Sequence, residues 1–461
     1  SNSVNYKTTA STTQSVLSQG TFYRFATTQD GIYQIDKAFL ESLGVVVSSV
    51  NMNNFRIYGN GGGMLPELAG EARPDDLIEN PIEVVDVNNN NNFDDEDYVL
   101  FYGQSPNQWQ FNNDDKTFAY QTHLYADQAF YFLNFDIGAG ARIELVKTTN
   151  EFDYETNSYD ALRVQEEEKV NLLKSGRIFL GNEMAHGNDS QLNFNIPHLQ
   201  TSTPLNIKFR LAAKSHEAIN QFELSINNQL EKSYTLGSVG LELGDPGGRW
   251  LTDELTKQVN NSNFNVNVRY GNNGASGRGY IDFINIHGRA NLTFDQTALN
   301  NGQLIFRDAQ NIAEDQISRF TINNSTNNLR IWDVTEEGTI AEVEILNSGN
   351  QEYFTAPTSS LKTFIAFDQV QYRTPTPLGI VATQNLHADI FPDFIIVGHP
   401  EFTAQMNELA NFHREEDNMN VLTVMVQEVY NEFSSGMQDI SAIRDFVKLF
   451  YDRAETEDQL P

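Results

Sequence analysis

Cysteine is absent from this sequence of 461 residues, and positive charge and long apolar runs are scarce. Without cysteine, the chain can form no disulfide scaffold, thiolate zinc site or iron–sulfur cluster, and it carries no cysteine nucleophile. Lysine and arginine total 30 against 62 aspartate and glutamate residues, which gives a net charge of −32. Such a chain repels phosphate backbones and anionic membrane surfaces, which argues against nucleic acid as a partner. No run of about 18 apolar residues occurs, so no transmembrane segment is predicted.

The residues that are present favour a folded, exported protein. Apolar residues make up 39% and aromatic residues 11% of the chain, which is enough for sizeable hydrophobic cores. The length predicts about three domains of ordinary size. Residues 1–5 contain no charged segment followed by an apolar core, so we expect that a signal peptide either was never present or has already been removed. The richness in Asn, Gly, Thr and Tyr is typical of exported surface proteins.

Short alternating strands dominate most of the sequence. Residues 1–150 predict an N-terminal β-rich domain, in which Asp30-Gly31 between two alternating runs is a hairpin signal. Residues 151–375 predict a jelly-roll β-sandwich, because many short strands follow one another with Asn, Gly and Ser turns between them. The acidic run at residues 166–168 predicts a solvated face, and residues 374–377 (TPTP) indicate a short stiff linker.

The pattern changes in residues 376–461, which predict the start of a parallel α/β domain. Two continuous apolar runs, at residues 394–397 and 421–426, are typical of strands buried on both faces. His399-Pro400 predicts a helix start at the strand end where open parallel sheets place ligands, and Asp439 is expected to cap a second helix. A β-α-β-α unit cannot cover its own sheet, so we expect the natural protein to continue beyond this chain.

The sharpest local motif is a segment with the spacing of a twelve-residue calcium loop, between two strand-like runs. Side-chain oxygens fall at positions 1, 3, 5, 9 and 12, and position 7 would supply a backbone carbonyl. The predicted calcium ligands are Asp86, Asn88, Asn90, Asn92, Asp94 and Asp97. Position 6 needs a positive φ, for which Asn91 is the best substitute for glycine, and Phe93 is the expected apolar anchor. We expect a structural calcium ion here; the alternative is a polar hairpin tip without metal.

Other motifs give no catalytic assignment. Residues 59–63 (GNGGG) lack the Lys-Ser/Thr of a phosphate loop and predict a turn with unusual backbone angles. The eight histidines form no His-x-x-x-His pair, and no Gly-x-Ser-x-Gly elbow occurs. Trp250, Tyr270 and Tyr280 are the aromatic residues that could line a sugar-binding surface of a jelly roll, but core packing is the better explanation for them.

Several segments, in this order, resemble the gingipain-type cysteine peptidase family, and within it the surface sortases of the type IX secretion system of Bacteroidetes. The similar segments are residues 55–62 (FRIYGNGG), 98–103 (YVLFYG), 331–335 (IWDVT), 392–397 (PDFIIV) and 430–446. The resemblance implies that residues 376–461 begin a caspase-like or gingipain-like α/β peptidase domain. The fold class expected for the whole chain is therefore mainly β, ending in the first β-α-β-α unit of that domain.

The resemblance also implies a function. Such sortases lie on the outer face of the outer membrane, remove the C-terminal sorting domain of secreted cargo, and attach the cargo to anionic lipopolysaccharide. The implied partners are the outer-membrane barrel PorV, other secretion-system proteins and the cargo sorting domains. The family's catalytic His and Cys lie in later strands, so this chain is expected to be inactive alone. Two alternatives stay open: a calcium-stabilised surface adhesin or carbohydrate-binding protein, and the prodomain region of a secreted gingipain-like protease.

Overall fold

The structure is a computed structural model of the chain, and strands make up most of its regular elements. It describes residues 12–460 except 273, 275, 325–327, 349–350, 369–370, 389 and 457–458. The prediction about a signal peptide concerns residues 1–5, which lie outside the described part. Among the residues described, no helix has the length and apolar character needed to cross a membrane.

The N-terminal elements form a three-stranded sheet, a hairpin and four strands of a five-stranded sheet, and one core cluster lies between the two sheets. They are β1 (Phe22–Thr27), β2 (Gly31–Asp36), α1 (Lys37–Ser42), β3 (Arg56–Tyr58), β4 (Glu79–Asn80), β5 (Glu83–Val85), β6 (Tyr98–Gly103), β7 (Gln108–Asn112), β8 (Thr117–Gln121) and β9 (Ala129–Asn134). The aromatic rings of Phe25, Phe101 and Tyr131 contact one another in this core, with centroids between 5.4 and 5.8 Å apart.

The next elements build two pairs of four- and five-stranded sheets. They are β10 (Glu144–Val146), β11 (Tyr154–Thr156), β12 (Ser158–Glu166), β13 (Asp189–Asn195), β14 (Leu205–Lys214), β15 (Asn220–Ile226), β16 (Gln229–Leu236), β17 (Arg249–Lys257), β18 (Asn263–Asn272), β19 (Arg278–Asn291), β20 (Gln303–Arg307), β21 (Ile317–Ile322), β22 (Arg330–Asp333), β23 (Ala341–Val343), β24 (Leu346–Ser348), β25 (Gln351–Pro357) and β26 (Thr363–Phe367).

The predicted jelly roll is present and spans β12 to β19. One sheet has the order β12-β19-β14-β17 and the other β13-β18-β15-β16, all antiparallel, which is the strand order of two interleaved Greek keys. Alternate residues of each strand point inward, so that β14 and β15 bury Phe209 and Phe222 between the sheets. The sequence pattern therefore gave the correct class of sandwich.

A second pair of sheets, built from strands on both sides of the jelly roll in the sequence, shares its core. It consists of β10-β23-β22-β26-β20 and β11-β21-β25-β24. Phe306, Phe320, Phe354 and Phe364 fill its interior, in the same buried cluster as the jelly-roll residues. Because β10 and β11 both belong to this pair, strand pairing crosses the predicted domain boundary at residues 150/151. The three predicted domain ranges stay predictions.

The last part of the chain carries the expected α/β start. Its elements are β27 (Thr376–Val381), β28 (Phe394–Gly398), α2 (Thr403–Glu416), β29 (Val421–Met425), α3 (Val426–Phe433) and α4 (Ile440–Arg453). β28 and β29 pair in parallel, and Asp439 accepts a hydrogen bond from the Ser441 N–H as the cap of α4. The predicted fold class is confirmed: mainly β, ending in an α/β unit.

Two local predictions are wrong. β1 and β2 do not form a hairpin across Asp30-Gly31, because β1 pairs with β9 and β27 in one sheet while β2 pairs with β6 in another. The predicted linker at residues 374–377 is partly a strand, since Thr376 and Pro377 lie opposite Ala26 and Phe25. β27 therefore ties the chain after the second sandwich back to the N-terminal sheet.

Candidate functional site

The predicted calcium loop joins two antiparallel strands, β5 and β6, as its flanks indicated. Phe93 is buried and packs against Phe55 with ring centroids 5.5 Å apart, so it anchors the loop as expected. Asn91 has a φ of 61°, which is the left-handed conformation predicted for position 6. Asn89 also lies in this region, with a φ of 56°. The backbone therefore coils tightly between the two strands.

The two terminal carboxylates of the loop hold this coil together. Asp86 accepts hydrogen bonds from the N–H groups of Asn90 and Asn91, at 3.2 and 2.7 Å. Asp97 is almost fully buried and accepts from the N–H groups of Val87 and Asp94, at 2.8 and 2.7 Å. Each carboxylate thus replaces water at donors that the turn leaves without backbone partners.

The middle of the loop gathers oxygen-bearing side chains around Asp94. The amides of Asn88 and Asn90 donate to its Oδ2 at 2.7 and 2.8 Å, and these hydrogen bonds lower the pKa of Asp94. Asn92 is exposed, and its N–H donates to the side-chain oxygen of Asn90 at 2.7 Å. Turning the two amides over would bring their oxygens, in place of N–H groups, toward the Asp94 carboxylate.

The donor set fits a hard cation in its chemistry, because all six predicted ligands offer oxygen. In the described part of the chain, no group of three or more His, Asp and Glu side chains is placed to hold a metal ion. The loop supplies three carboxylates: Asp86 at its start, Asp94 in its second half and Asp97 at its end. Asparagines lie between Asp86 and Asp94. Whether calcium binds stays a prediction.

The other singled-out residues have structural roles. His399 caps the turn before α2, since its Nδ1 accepts from the Glu401 N–H at 3.3 Å, and its side chain is exposed. Tyr270 and Tyr280 are buried, and their hydroxyl groups donate to Asn220 and Glu183. They cannot form an exposed aromatic platform for a sugar.

A buried polar cluster between the N-terminal region and α3 was not predicted from the sequence. His387 and Glu432 are both fully buried, and His387 Nδ1 lies 2.7 Å from Glu432 Oε2. Glu432 also accepts from the Leu386 N–H and from the Gln384 amide at 2.8 Å. His387 Nε2 lies 3.1 Å from the Asp75 carbonyl oxygen and therefore links the α/β unit to the loop before β4.

The charges around His387 favour its protonated form. Burial by itself lowers the pKa of His387, but the hydrogen bond with Glu432 and the charges of Asp76, Glu432 and Asp75 outweigh burial and raise it. The imidazole also stacks on Phe433, with ring centroids 4.9 Å apart and planes 6° apart. The cluster is therefore a polar contact between the α/β unit and the N-terminal region, with the apolar Phe433 ring packed beside it.

Residues of α4 make two further contacts with the N-terminal region. Arg73 Nε lies 2.8 Å from Asp445 Oδ2, and Asp445 is almost fully buried. Arg444 donates to the carbonyl oxygens of Pro66 and Glu67 at 2.9 and 2.5 Å. No periodic or regularly spaced motif links residues 66–76 with residues 432–445, so the sequence pattern does not predict this interface.

Comparison with known proteins agrees with this arrangement. The family model of Peptidase family C25 matches residues 387–461. The crystal structure of dimeric latent PorU from Porphyromonas gingivalis superposes with a TM-score of 0.79 at 24% sequence identity. The match covers 96% of this chain and 41% of the PorU chain, so this chain spans less than half of the length of that protein. The predicted resemblance is confirmed: the chain has the fold of the corresponding part of PorU.

Two carbohydrate-binding modules are also similar over part of the chain. One is a CBM36 module in complex with calcium and xylotriose, with 14% identity, a TM-score of 0.19 and coverage of 28% of this chain and 99% of that module. The other is the CBM36-1 domain of a xylanase from the hindgut metagenome of Trinervitermes trinervoides, with 10% identity, the same TM-score and coverage of 28% and 95%. TM-scores this low carry no argument about function. A comparison with curated protein sequences gives no match.

Proposed function

We propose that this chain is the non-catalytic N-terminal part of a cell-surface sortase of the type IX secretion system. The complete protein would remove the C-terminal sorting domain of secreted cargo and attach the cargo to anionic lipopolysaccharide, in contact with the outer-membrane barrel PorV. The observation that supports this most is the agreement of the whole chain with the fold of PorU. The match of residues 387–461 to Peptidase family C25 supports the peptidase part.

In this proposal, the residues described here position the peptidase domain instead of performing chemistry. The sequence contains no cysteine, so the nucleophile of a cysteine peptidase is not among these residues. His387, which Glu432 of α3 holds, contacts the Asp75 carbonyl oxygen, and Asp445 of α4 pairs with Arg73; these contacts attach α3 and α4 to the N-terminal region. The β domains would then present cargo or partner proteins to an active site held at a fixed position relative to them.

The sortase role can be tested by deleting the gene for the complete protein in its own bacterium. We expect secreted cargo to keep its C-terminal sorting domain and to lose lipopolysaccharide attachment, as read by mass spectrometry of cargo C-termini. Complementation with the full-length gene should restore both. Normal cargo processing in the deletion strain would refute the proposal. Normal cargo processing together with loss of a secreted proteolytic activity would instead favour a protease of the gingipain type.

The adhesin alternative receives less support from this structure. It needs an exposed sugar-binding surface, and two of the three aromatic residues considered for it are buried. A glycan array with the whole chain is the direct test. Binding to a defined glycan, together with normal cargo processing in the deletion strain, would favour the adhesin over the sortase.

We also propose that residues 86–97 bind a structural calcium ion through Asp86, Asn88, Asn90, Asn92, Asp94 and Asp97. Calorimetric titration of calcium into the whole chain should give binding that Asp86→Ala abolishes. Glu96→Gln is the matched control, because Glu96 lies in the same loop but outside the ligand set. Chelation should lower the melting temperature of the wild-type protein by mass action, since calcium binds the folded form. Equal heats for wild type and Asp86→Ala would show that the loop is only a turn.

A further inference from the structure

A cavity of about 460 Å³ lies where the N-terminal region, the jelly roll and the second sandwich meet. Three arginines from different elements line it: Arg163 on β12, Arg307 at the end of β20 and Arg373 just before β27. In a chain with a net charge of −32, this local concentration of positive charge needs an explanation.

None of the three guanidinium groups has a carboxylate within 4.0 Å in the described part of the chain. Arg163 donates only to the carbonyl oxygens of Leu162 and Asn195, both at 2.8 Å. Arg373 donates to the Gln29 side chain at 2.5 Å, but its buried Nε–H has no hydrogen-bond acceptor. The Arg307 guanidinium makes no side-chain hydrogen bond and no ion pair within 4.0 Å with the residues described, and the longer-range charges of Asp30 and Asp160 act on it. A buried donor without an acceptor is costly, and a bound anion would supply one.

The cavity lining has two carboxylates, Asp30 and Asp160, against three arginines, and both carboxylates already accept hydrogen bonds from other groups. Asp160 is already engaged by Arg289 and His287, each at 2.8 Å, and by the Ala309 N–H at 2.6 Å. Asp30 accepts from the Ser105 N–H at 2.7 Å; burial raises the pKa of Asp30, although the charges of Arg307 and Arg373 act to lower it. The cavity therefore keeps an excess of positive charge.

The walls favour one kind of anion. Trp109, Leu162, Leu299 and Ile305 add apolar surface beside the arginines. A guanidinium group matches a planar carboxylate with two parallel hydrogen bonds. A doubly charged phosphate would be repelled more strongly by Asp30 and would not use the apolar walls. The volume is in the range of sites for small molecules and peptide fragments.

We propose that this cavity binds the carboxylate of a peptide, with an adjacent apolar side chain on the walls. The carboxylate would lie against Arg307 and the free Nε–H of Arg373. The proposal does not depend on the sortase role, because it concerns a cavity of the β domains alone. Two sources share this chemistry: an acidic side chain and a C-terminal carboxyl group.

Calorimetry on the whole chain with three short probes separates these sources. The probes are acetyl-Leu-Glu-amide, acetyl-Gly-Leu with a free carboxyl group, and the neutral acetyl-Leu-Gln-amide. We expect one or both acids to bind, and the neutral peptide to bind about tenfold more weakly or worse. Binding of one acid alone identifies the source. Equal binding of the neutral peptide, or no binding of either acid up to about 1 mM, would overturn the proposal.

Arg307→Gln provides the matching protein variant, with Arg269→Gln as control. Arg269 is exposed on β18, away from the cavity. Arg307→Gln should weaken the acidic probes about tenfold or more, and Arg269→Gln should not. Without probe, Arg307→Gln should also raise the melting temperature, because burial disfavours the charged guanidinium, lowers the pKa of Arg307 and outweighs the attraction of Asp30 and Asp160. Unchanged probe affinity in Arg307→Gln would contradict the proposal, as would a lower melting temperature that signals a purely structural role.

Discussion

Glu166, at the end of β12, is the acidic residue whose surroundings differ most from the sequence prediction. The run at residues 166–168 was interpreted as a solvated face, but the Glu166 side chain is half-buried. Burial raises its pKa to about 7, and the charges of Asp282 and Glu168 add to this effect. At neutral pH this carboxyl group is therefore partly protonated, unlike an exposed glutamate.

Glu166→Gln should stabilise the protein at high pH and leave it unchanged at low pH. The folded state binds the Glu166 proton more tightly than the unfolded state, so stability falls as pH rises from about 4.5 through about 7. The expected gain in the free energy of unfolding at about pH 8 is about 1–2 kcal/mol, after allowance for solvent screening. Melting curves between pH 4 and pH 8 test this. Exposed Glu151→Gln is the control, and an equal gain at every pH would contradict the prediction.

His387 should show a pH dependence of the same sign at higher pH, but here the protonated group stabilises the folded state. Its raised pKa means that the folded state holds the proton more tightly, so its contribution is fully present below about pH 6.5 and is lost as pH rises through the higher folded value. His387→Gln should therefore lower the melting temperature most at about pH 6 and progressively less toward pH 9. His399→Gln, in an exposed cap, is the control and should give a small difference in melting temperature. A His387→Gln effect that does not vary with pH would exclude a protonated His387.

At the scale of single residues, sequence reading succeeded where spacing along one segment decides the geometry. The positive φ of Asn91 and the burial of Phe93 follow from their positions in a twelve-residue loop. It failed where residues meet across the chain. His387 and Glu432, and Arg163 and Arg307, are far apart in sequence, and their environments depend on how separate units pack. No local sequence pattern predicts a contact between residues so far apart in the chain.

At the scale of elements, alternation of apolar residues identified strands well, but it could not assign their partners. Asp30-Gly31 joins two real strands and still makes no hairpin. The Asp30 carboxylate accepts from the Ser105 N–H, and β1 and β2 then enter different sheets. Non-local pairing of this kind is selected by the packing of whole sheets. The sequence pattern also does not predict α3, which directly follows β29.

The glycine-rich segment after β3 is held by close backbone contact. A Cβ on Gly62 would lie 1.7 Å from the Ser105 carbonyl oxygen, so any side chain forces the two segments apart. Gly62→Ala should lower the free energy of unfolding by about 1–3 kcal/mol, as overpacking does. Chemical or thermal denaturation measures this. Gly70→Ala is the matched control, because its Cβ would meet nothing within 4 Å, and a similar loss in both variants would contradict the explanation.

At the scale of the whole molecule, strand pairing joins the regions that the sequence predicts as successive domains. β27 completes the N-terminal sheet after the chain has passed through both sandwiches, and β10 pairs with β23 almost 200 residues later. The loop at residues 59–76 then covers α3 and α4. The peptidase-like unit is therefore attached to the N-terminal region at several points, and a flexible tether between them would not give these contacts.

Asp445→Asn tests whether this attachment couples the two regions. Asp445 is almost fully buried between Arg73 and Arg444, at 2.8 Å from each, and loss of its charge leaves Arg73 without that partner. Removing one member of a buried ion pair costs about 3 kcal/mol or more. Hydrogen exchange should therefore become faster in residues 59–76 as well as in α4, while the jelly roll stays unchanged.

Asp452→Asn on the same helix is the control for this experiment, because its pair with Lys448 is exposed and contributes little. Faster exchange confined to α4 would mean that the N-terminal region and the α/β unit unfold independently. Faster exchange in both, with a single shifted melting transition, would mean that the ion pair transmits stability between them. The second outcome is the one expected if the β domains serve to hold a peptidase domain in place.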